Sequence, residues 1–205
     1  MASLFTIGYS GLNASKFADL LRASDVNVVC DVRSTPYSTY KPEFSRGPFR
    51  EFLNKVGIKY TFMGHQLGAR PKDRSCYVAG QATYERIAEA QFFKNGLERL
   101  RAGVEKLNLA LVCSERDPLE CHRAVLVCRH LPDLGSIISH IHTEGAIETQ
   151  EQFDERLVQH HGTAPPPLLR QPGDWEKAVK LAYSRQGDAI AYRERGFDGK
   201  QESSE

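Results

Sequence analysis

One stretch of the chain, residues 107–131 (LNLALVCSERDPLECHRAVLVCRHL), constrains the fold more than any other. Its first part, residues 107–113, is a short apolar run typical of a strand that is buried on both faces. A polar hinge follows, and residues 118–131 are predicted to form a helix, with Asp117 as N-cap and Pro118 at the first helical position. Such a strand and helix are typical of an open α/β sheet, in which ligands bind at the carboxyl ends of the strands.

Four further apolar runs of strand length alternate with helical patterns. The predicted strands cover residues 4–8, 26–32, 58–63 and 135–141. One predicted helix follows a cap at Asn13. The other predicted helices cover residues 48–56, 84–106 (as one or two helices), 148–160 and 174–195. This alternation predicts an α/β fold: a three-layer, Rossmann-like sandwich with a mostly parallel five-stranded sheet. We expect residues 1–145 to form this core domain and residues 146–205 to form a helical C-terminal extension packed on it.

Charge and cysteine content limit the classes of partner. The formal net charge is only +1, so binding to nucleic acid or to a membrane surface would need a local patch of charge. The first residues, MASLFTIGYS, carry no basic segment and no long apolar run, so we expect no signal peptide, no transmembrane segment and no membrane partner. The five cysteines are an odd number and suit a reducing compartment, so we expect a cytoplasmic protein.

Polar and ionisable residues follow the predicted strands, and the carboxyl ends of parallel strands meet at one edge of a sheet. Arginines near a helix N-terminus suit a phosphate or carboxylate ligand. A carboxylate in a cleft can transfer protons near neutral pH, which favours Glu115 as general acid or base. The predicted substrate- or phosphate-binding residues are Tyr9, Ser10, Arg33, Ser34, Arg46, His65 and Arg123. The predicted catalytic residues are Asp31, Cys113, Glu115 and His122.

Two predicted loops, residues 35–47 and 69–83, add cations and aromatic rings. In the first loop and the helix after it, aromatic residues alternate with cations: Tyr37, Tyr40, Lys41, Phe44, Arg46 and Arg50. Such residues either stack bases and hold phosphates or pack the loop against the protein. The second loop carries Arg70 and Lys72, and isolated basic residues of this kind are mostly solvated surface.

The cysteines allow three interpretations. A thiolate near a helix N-terminus and a cation can act as a nucleophile. Alternatively, Cys113, Cys121 and His122 could bind a metal, with His65 as a fourth ligand, although their spacing is not a recognised metal signature. The third interpretation is core packing, because Cys121 lies at helical spacing with residues 125 and 128 and buried free cysteine behaves as a small hydrophobe.

Four segments together resemble the domain of unknown function 488 family: TIGYSGLNASKFADLL, VCDVRSTPYS, GIKYTFMGHQLGARP and VCSERDPLECHR. The resemblance spans residues 5–131. It implies that the characteristic motifs of the family map onto Gly8, Ser10, Asp31, Arg33, Pro36, Ser38, Cys113, Glu115, Cys121, His122 and Arg123.

These observations favour an enzyme that acts on a phosphate-bearing substrate, such as a nucleotide or a nucleic-acid base, at the carboxyl edge of the sheet. Arg33 and Arg123 would hold the anion, and Glu115 would transfer the proton. A non-catalytic nucleotide or nucleic-acid binding module and a Cys/His metal-binding protein are the alternatives. We predict no cofactor. The sequence has neither Gly-x-Gly-x-x-Gly after the first strand nor a P-loop, so it does not favour a classical dinucleotide or ATPase function.

Overall fold

In the computed structural model, which describes residues 2–166 and 171–194, a six-stranded sheet forms the centre of the protein. In spatial order its strands are β3 (Lys59–Phe62), β2 (Val28–Asp31), β6 (Leu109–Cys113), β1 (Leu4–Gly8), β7 (Ile138–Ile141) and β8 (Ile147–Thr149). The first five strands are parallel, and β8 pairs with β7 in the antiparallel sense. The fold is therefore the predicted α/β sandwich.

The predicted number of five strands was wrong, because β8 was missed. Only three residues long, β8 turns back from β7 through a turn closed by a hydrogen bond from Gly145 N to His142 O. The next helix follows β8 without a loop, and its N-cap, Thr149, is the last residue of the strand. The predicted helix of residues 148–160 therefore included most of β8. A strand this short leaves too little alternation in the sequence to be recognised.

Helices cover both faces of the sheet. They are α1 (Ala14–Ala23), α2 (Arg46–Lys55), α3 (Gly64–Leu67), α4 (Tyr84–Glu89), α5 (Gln91–Val104), α6 (Gln150–His161) and α7 (Asp174–Ile190). One apolar cluster joins α1 and α2 to one face through residues such as Phe17 and Leu53. A second cluster joins α4–α7 to the other face through residues such as Phe93, Leu157 and Tyr183. Asn13 caps α1 as predicted, accepting a hydrogen bond from Lys16 N at 2.8 Å.

The segment after β6 does not form the predicted continuous helix of residues 118–131. The cap at Asp117 is present and accepts from Leu119 N, but it begins only a 3-10 turn, Pro118–Glu120. Cys121 is extended (φ −135°, ψ 134°), and a π-helical turn at Arg123–Val127 and a 3-10 turn at Cys128–His130 follow. Because Cys121 is extended, its thiol reaches Glu115, with Sγ 3.1 Å from Oε2. The apolar periodicity of the sequence does not reveal a side-chain contact of this kind.

The last helices contact the segment after β6. Arg156 of α6 donates to both oxygens of Asp117 at 3.0 Å, and Gln186 of α7 donates to Leu119 O at 2.9 Å. Their apolar residues lie in the same cluster as those of α5. The division at residue 145 into two domains stays a prediction, and residues 195–205 of the predicted extension lie outside the described residues.

Two predicted loops contain short regular structure. The loop at residues 69–83 holds a small hairpin, β4 (Tyr77–Val78) and β5 (Gln81–Ala82), beside a 3-10 turn. The loop at residues 35–47 ends in a 3-10 turn, Pro42–Phe44, that buries Phe44. No helix in the part of the chain that the structure describes is both long and apolar enough to cross a membrane.

Gly8 allows the end of β1 to touch the backbone that carries Glu115. A Cβ atom at this position would overlap the carbonyl oxygen of Glu115, whereas a Cβ at Gly47 of α2 would meet nothing within 4 Å. We expect Gly8→Ala to lower the free energy of unfolding by about 3 kcal/mol, as overpacking in a rigid core does. Gly47→Ala, the matched control, should leave it unchanged within about 1 kcal/mol. Urea denaturation measures both, and equal effects would show that this close approach is not rigid.

Candidate functional site

The ends of β1, β2 and β6 come together at one edge of the sheet. Tyr9 N donates to Cys113 O at 3.1 Å, and Ser10 N donates to Ser114 O at 3.0 Å. A cavity of about 400 Å³ opens at this edge. Its lining residues are Tyr9, Arg33, Ser34, Thr35, Tyr37, Ala69, Arg70, Tyr84, Cys113, Ser114, Glu115, Glu120, His122, Ile190 and Tyr192.

The cavity has a buried floor and an exposed rim. Tyr9, Tyr84, Cys113 and His122 are all less than 9% exposed and form its floor. The rim includes Tyr37, which is 69% exposed. It also includes the exposed side chains of Arg70 and Glu120.

Arg33 is held on the floor by a buried ion pair with Asp31. Its Nε donates to Asp31 Oδ1 at 2.8 Å and one terminal nitrogen donates to Asp31 Oδ2 at 2.6 Å. The remaining contacts are with Phe44 O at 2.8 Å and the hydroxyl of Tyr9 at 3.3 Å. Because Asp31 neutralises Arg33 and most of its N–H groups are used, Arg33 has little left to offer an anion beyond one N–H.

Asp31 also accepts a hydrogen bond from Tyr60 on β3, at 2.7 Å. Burial, together with the charge of Asp31, raises the pKa of the Tyr60 hydroxyl, so that this group stays protonated and donating. Asp31 itself is completely buried and does not line the cavity. It holds Arg33 in position rather than facing a ligand.

Cys113, Glu115 and His122 form the other half of the floor, and the thiol of Cys121 contacts them from behind it. His122 Nδ1 lies 3.7 Å from Cys113 Sγ and 3.9 Å from Cys121 Sγ. Glu115 Oε2 lies 3.1 Å from Cys121 Sγ, and Glu115 Oε1 accepts from the Ser114 hydroxyl at 2.8 Å. These four residues, Cys113, Glu115, Cys121 and His122, form the thiol cluster.

The groups of the thiol cluster shift one another's pKa. Burial disfavours the charged form of Glu115, but hydrogen bonds from Cys113, Cys121 and Ser114 outweigh it and lower the pKa of Glu115 to about 2. The carboxylate is therefore ionised near neutral pH, which fits the predicted role of general base but not that of general acid. Burial likewise opposes ionisation of Cys121, but the Cys113 thiol, Arg123 and His122 favour its thiolate and lower its pKa to about 5. The pKa of Cys113 is raised, chiefly by its hydrogen bond to Cys121 and by burial. Burial opposes the charged form of His122, but its contact with Cys121 outweighs burial and raises the pKa of the imidazole.

Arg123 lies beneath the cavity rather than in it. It is fully buried and donates to Glu115 O at 2.7 Å, to Arg116 O at 3.1 Å and to Thr6 Oγ1 at 3.3 Å. The predicted anion-binding role does not fit this placement, because its hydrogen bonds go to protein oxygens. Arg123 instead holds the loop that carries Glu115 against β1.

The structure brings six of the predicted site residues to the cavity and leaves five away from its surface. Those in the lining are Tyr9, Arg33, Ser34, Cys113, Glu115 and His122. Asp31 and Arg123 lie behind it, and Ser10 is exposed outside it. Arg46 and His65 both pack on Phe62, the guanidinium 4.6 Å and the imidazole 4.9 Å from its ring centre. The alternative that made His65 a fourth metal ligand was wrong, because the thiol cluster is built without it.

Several lining residues were not predicted as site residues. Tyr192 reaches the rim because its carbonyl accepts a hydrogen bond from Ala82 N at 2.9 Å, which holds the residues after α7 against the hairpin of β4 and β5. Its ring lies 4.5 Å from the Arg70 guanidinium. Tyr84 was predicted only as the first residue of a helix. The alternating aromatics and cations did point to Tyr37, but no pattern in the sequence pairs residue 192 with residue 70.

The Asp31–Arg33 pair gives a direct test of the floor. Asp31→Asn leaves the buried guanidinium without its counter-charge, so we expect a loss of about 3 kcal/mol in the free energy of unfolding. Asp19→Asn removes the carboxylate of an ion pair with Arg22 whose side chains are exposed, Arg22 at 51% and Asp19 at 60%. It should lower the free energy of unfolding by less than about 1 kcal/mol. Chemical denaturation of both variants measures the difference. If Asp31→Asn is as stable as Asp19→Asn, the pair does not hold the floor.

Comparison with known proteins identifies the family of the chain. No curated protein matches the sequence. Among solved structures, a Shewanella putrefaciens CN-32 protein described only as a candidate phosphatase (DUF442) is similar over 91% of this chain and 90% of its own, at 12% identity and a TM-score of 0.35. The family model described as domain of unknown function DUF488 matches residues 13–129. The chain therefore belongs to the DUF488 family.

Proposed function

We propose that the protein is an enzyme that acts on a nucleotide, or on a similar substrate that joins an aromatic ring to a phosphate, bound in the cavity at the carboxyl edge of the sheet. The observation that carries the proposal is that tyrosine rings, an unneutralised arginine and three residues of the thiol cluster, Cys113, Glu115 and His122, share one cavity. A module that only binds would not need proton-transfer groups and thiols on its buried floor.

The rings and charges of the cavity suit the two ends of a nucleotide. Tyr9, Tyr37, Tyr84 and Tyr192 present aromatic surface, and aromatic rings stack on bases without regard to sequence. Among the described residues, no carboxylate lies within ion-pair distance of Arg70, so its charge is available to a phosphate at the rim. The volume of about 400 Å³ is in the range of small-molecule pockets.

Glu115 is the group we assign to proton transfer. Its side chain lines the floor, half-buried, and its Oε2 contacts Cys121 while Oε1 accepts from Ser114. Its backbone is fixed by the hydrogen bond from Arg123. A carboxylate whose position is fixed on both sides meets the geometric requirement for a general base.

We predict that nucleotides stabilise the protein and that Arg70 provides much of the affinity. At 100 times its dissociation constant, a ligand adds about 2.7 kcal/mol to the free energy of unfolding, which a thermal-shift assay detects. Nucleoside mono- and diphosphates should raise the melting temperature more than nucleosides or inorganic phosphate do. Arg70→Ala should remove most of this shift. Arg50→Ala, an exposed arginine of α2 outside the cavity lining, should keep it.

Turnover separates an enzyme from a binding module. Incubation of wild type with the stabilising nucleotide, followed by chromatography and phosphorus NMR, should show product. We expect Glu115→Gln to bind the nucleotide but to form product at least 100-fold more slowly, the usual contribution of a general acid or base. Binding without any turnover would favour the binding module, and no stabilisation by any nucleotide would contradict the proposal.

A further inference from the structure

Three donor atoms of the thiol cluster are arranged as metal ligands are. The sulfur atoms of Cys113 and Cys121 and Nδ1 of His122 all lie within 4.8 Å of one another. A zinc ion with Zn–S bonds of about 2.3 Å and a Zn–N bond of about 2.0 Å, in tetrahedral geometry, places sulfur and nitrogen about 3.5 Å apart. The two distances from Nδ1 to sulfur here are 3.7 and 3.9 Å. The sites for three ligands of a tetrahedron are therefore formed by the fold itself.

The imidazole is oriented with Nδ1 toward the sulfur atoms, and in the neutral ring Nδ1 presents a lone pair to them. Its other nitrogen, Nε2, lies 3.1 Å from the carbonyl oxygen of Val32. Because a carbonyl oxygen only accepts, Nε2 carries the hydrogen and Nδ1 of the neutral ring does not. A hydrogen bond from the second imidazole nitrogen to a backbone carbonyl is the usual support of a metal-binding histidine.

The cluster places two acidic groups in contact. Cys121 Sγ and Glu115 Oε2 lie 3.1 Å apart, and at this distance their anions would repel unless a proton or a metal ion lies near them. The thiolates of Cys113 and Cys121 would balance the charge of a divalent ion. The guanidinium of Arg123, which is buried and donates to the backbone carbonyl of Glu115, adds a positive charge next to the cluster.

We propose that Cys113, Cys121 and His122 bind one zinc ion on the floor of the cavity. Two thiolates and an imidazole are ligands that zinc prefers, and three protein ligands leave a fourth position for water, as in catalytic zinc sites. Cys113, His122 and Glu115 all line the cavity, so the fourth position can open toward a substrate. Zinc lowers the pKa of a bound water, and Glu115 is placed to take the proton that this water loses.

The metal site does not depend on the identity of the substrate, whereas the use of its water rests on the proposed function. The two are tested separately. Metal content is measured without substrate, and turnover is measured on protein of known metal content. Zinc without nucleotide binding would therefore contradict only the proposed function, and nucleotide turnover by metal-free protein would contradict only the use of the zinc-bound water.

The test is the metal content of the full chain, purified under reducing conditions without chelators or metal-affinity resin. Elemental analysis should find about one zinc ion per chain, as expected of a mononuclear site. Cys113→Ala, Cys121→Ala and His122→Ala should each reduce the zinc content to background. Cys76→Ala, the matched control, replaces a buried cysteine that lies outside the cluster and should keep the zinc. Glu115→Gln should also keep it.

A second measurement uses only wild type, in case a ligand variant does not fold. Protein stripped of metal is titrated with cobalt(II), which should give the charge-transfer band of thiolate ligands and the ligand-field bands of a tetrahedral site, both reversed by zinc. Metal-free folded protein that gives no such spectrum would overturn the proposal. So would a disulfide between Cys113 and Cys121, found by mass spectrometry of the protein purified without reductant.

Discussion

The buried guanidinium of Arg123 is the constraint on which the rest of the site depends. It has no exposed surface, and it joins Thr6 of β1 to the carbonyl oxygens of Glu115 and Arg116. A buried charge is costly unless hydrogen bonds replace its hydration, so the loop after β6 must keep its carbonyls turned inward. That requirement fixes the backbone of Glu115 against Gly8 and places the carboxylate over the floor of the cavity.

The same guanidinium favours an anionic sulfur at Cys121. The structure thus concentrates ionisable groups at the ends of β2 and β6, in one compensated pair, Asp31 and Arg33, and in the thiol cluster. Tyr60 donates a hydrogen bond to Asp31 and Phe44 O accepts one from Arg33, so this pair is held in place and supports the floor. The second cluster faces the cavity, and there we place the chemistry.

Much of the fold and part of the candidate site could be predicted from the sequence. Apolar runs located the five parallel strands to within three residues at each end, because buried strands need continuous apolar sequence. Their carboxyl ends indicated Arg33, Cys113, Glu115 and His122 as neighbours. The break at Cys121 could not be predicted, since it depends on contacts of its side chain that override helical periodicity. The burial of Arg123 and the position of Tyr192 at the cavity rim could not be predicted from the local sequence, because tertiary contacts determine both.

The most direct measurement is anomalous diffraction at the zinc edge from crystals of the full chain purified without chelators. We expect one peak about 2.3 Å from the sulfur atoms of Cys113 and Cys121 and about 2.0 Å from Nδ1 of His122, facing the cavity beside Glu115. Clear density for these side chains with no anomalous peak among them, or with a bond of about 2.05 Å between the two sulfur atoms, would contradict the assignment.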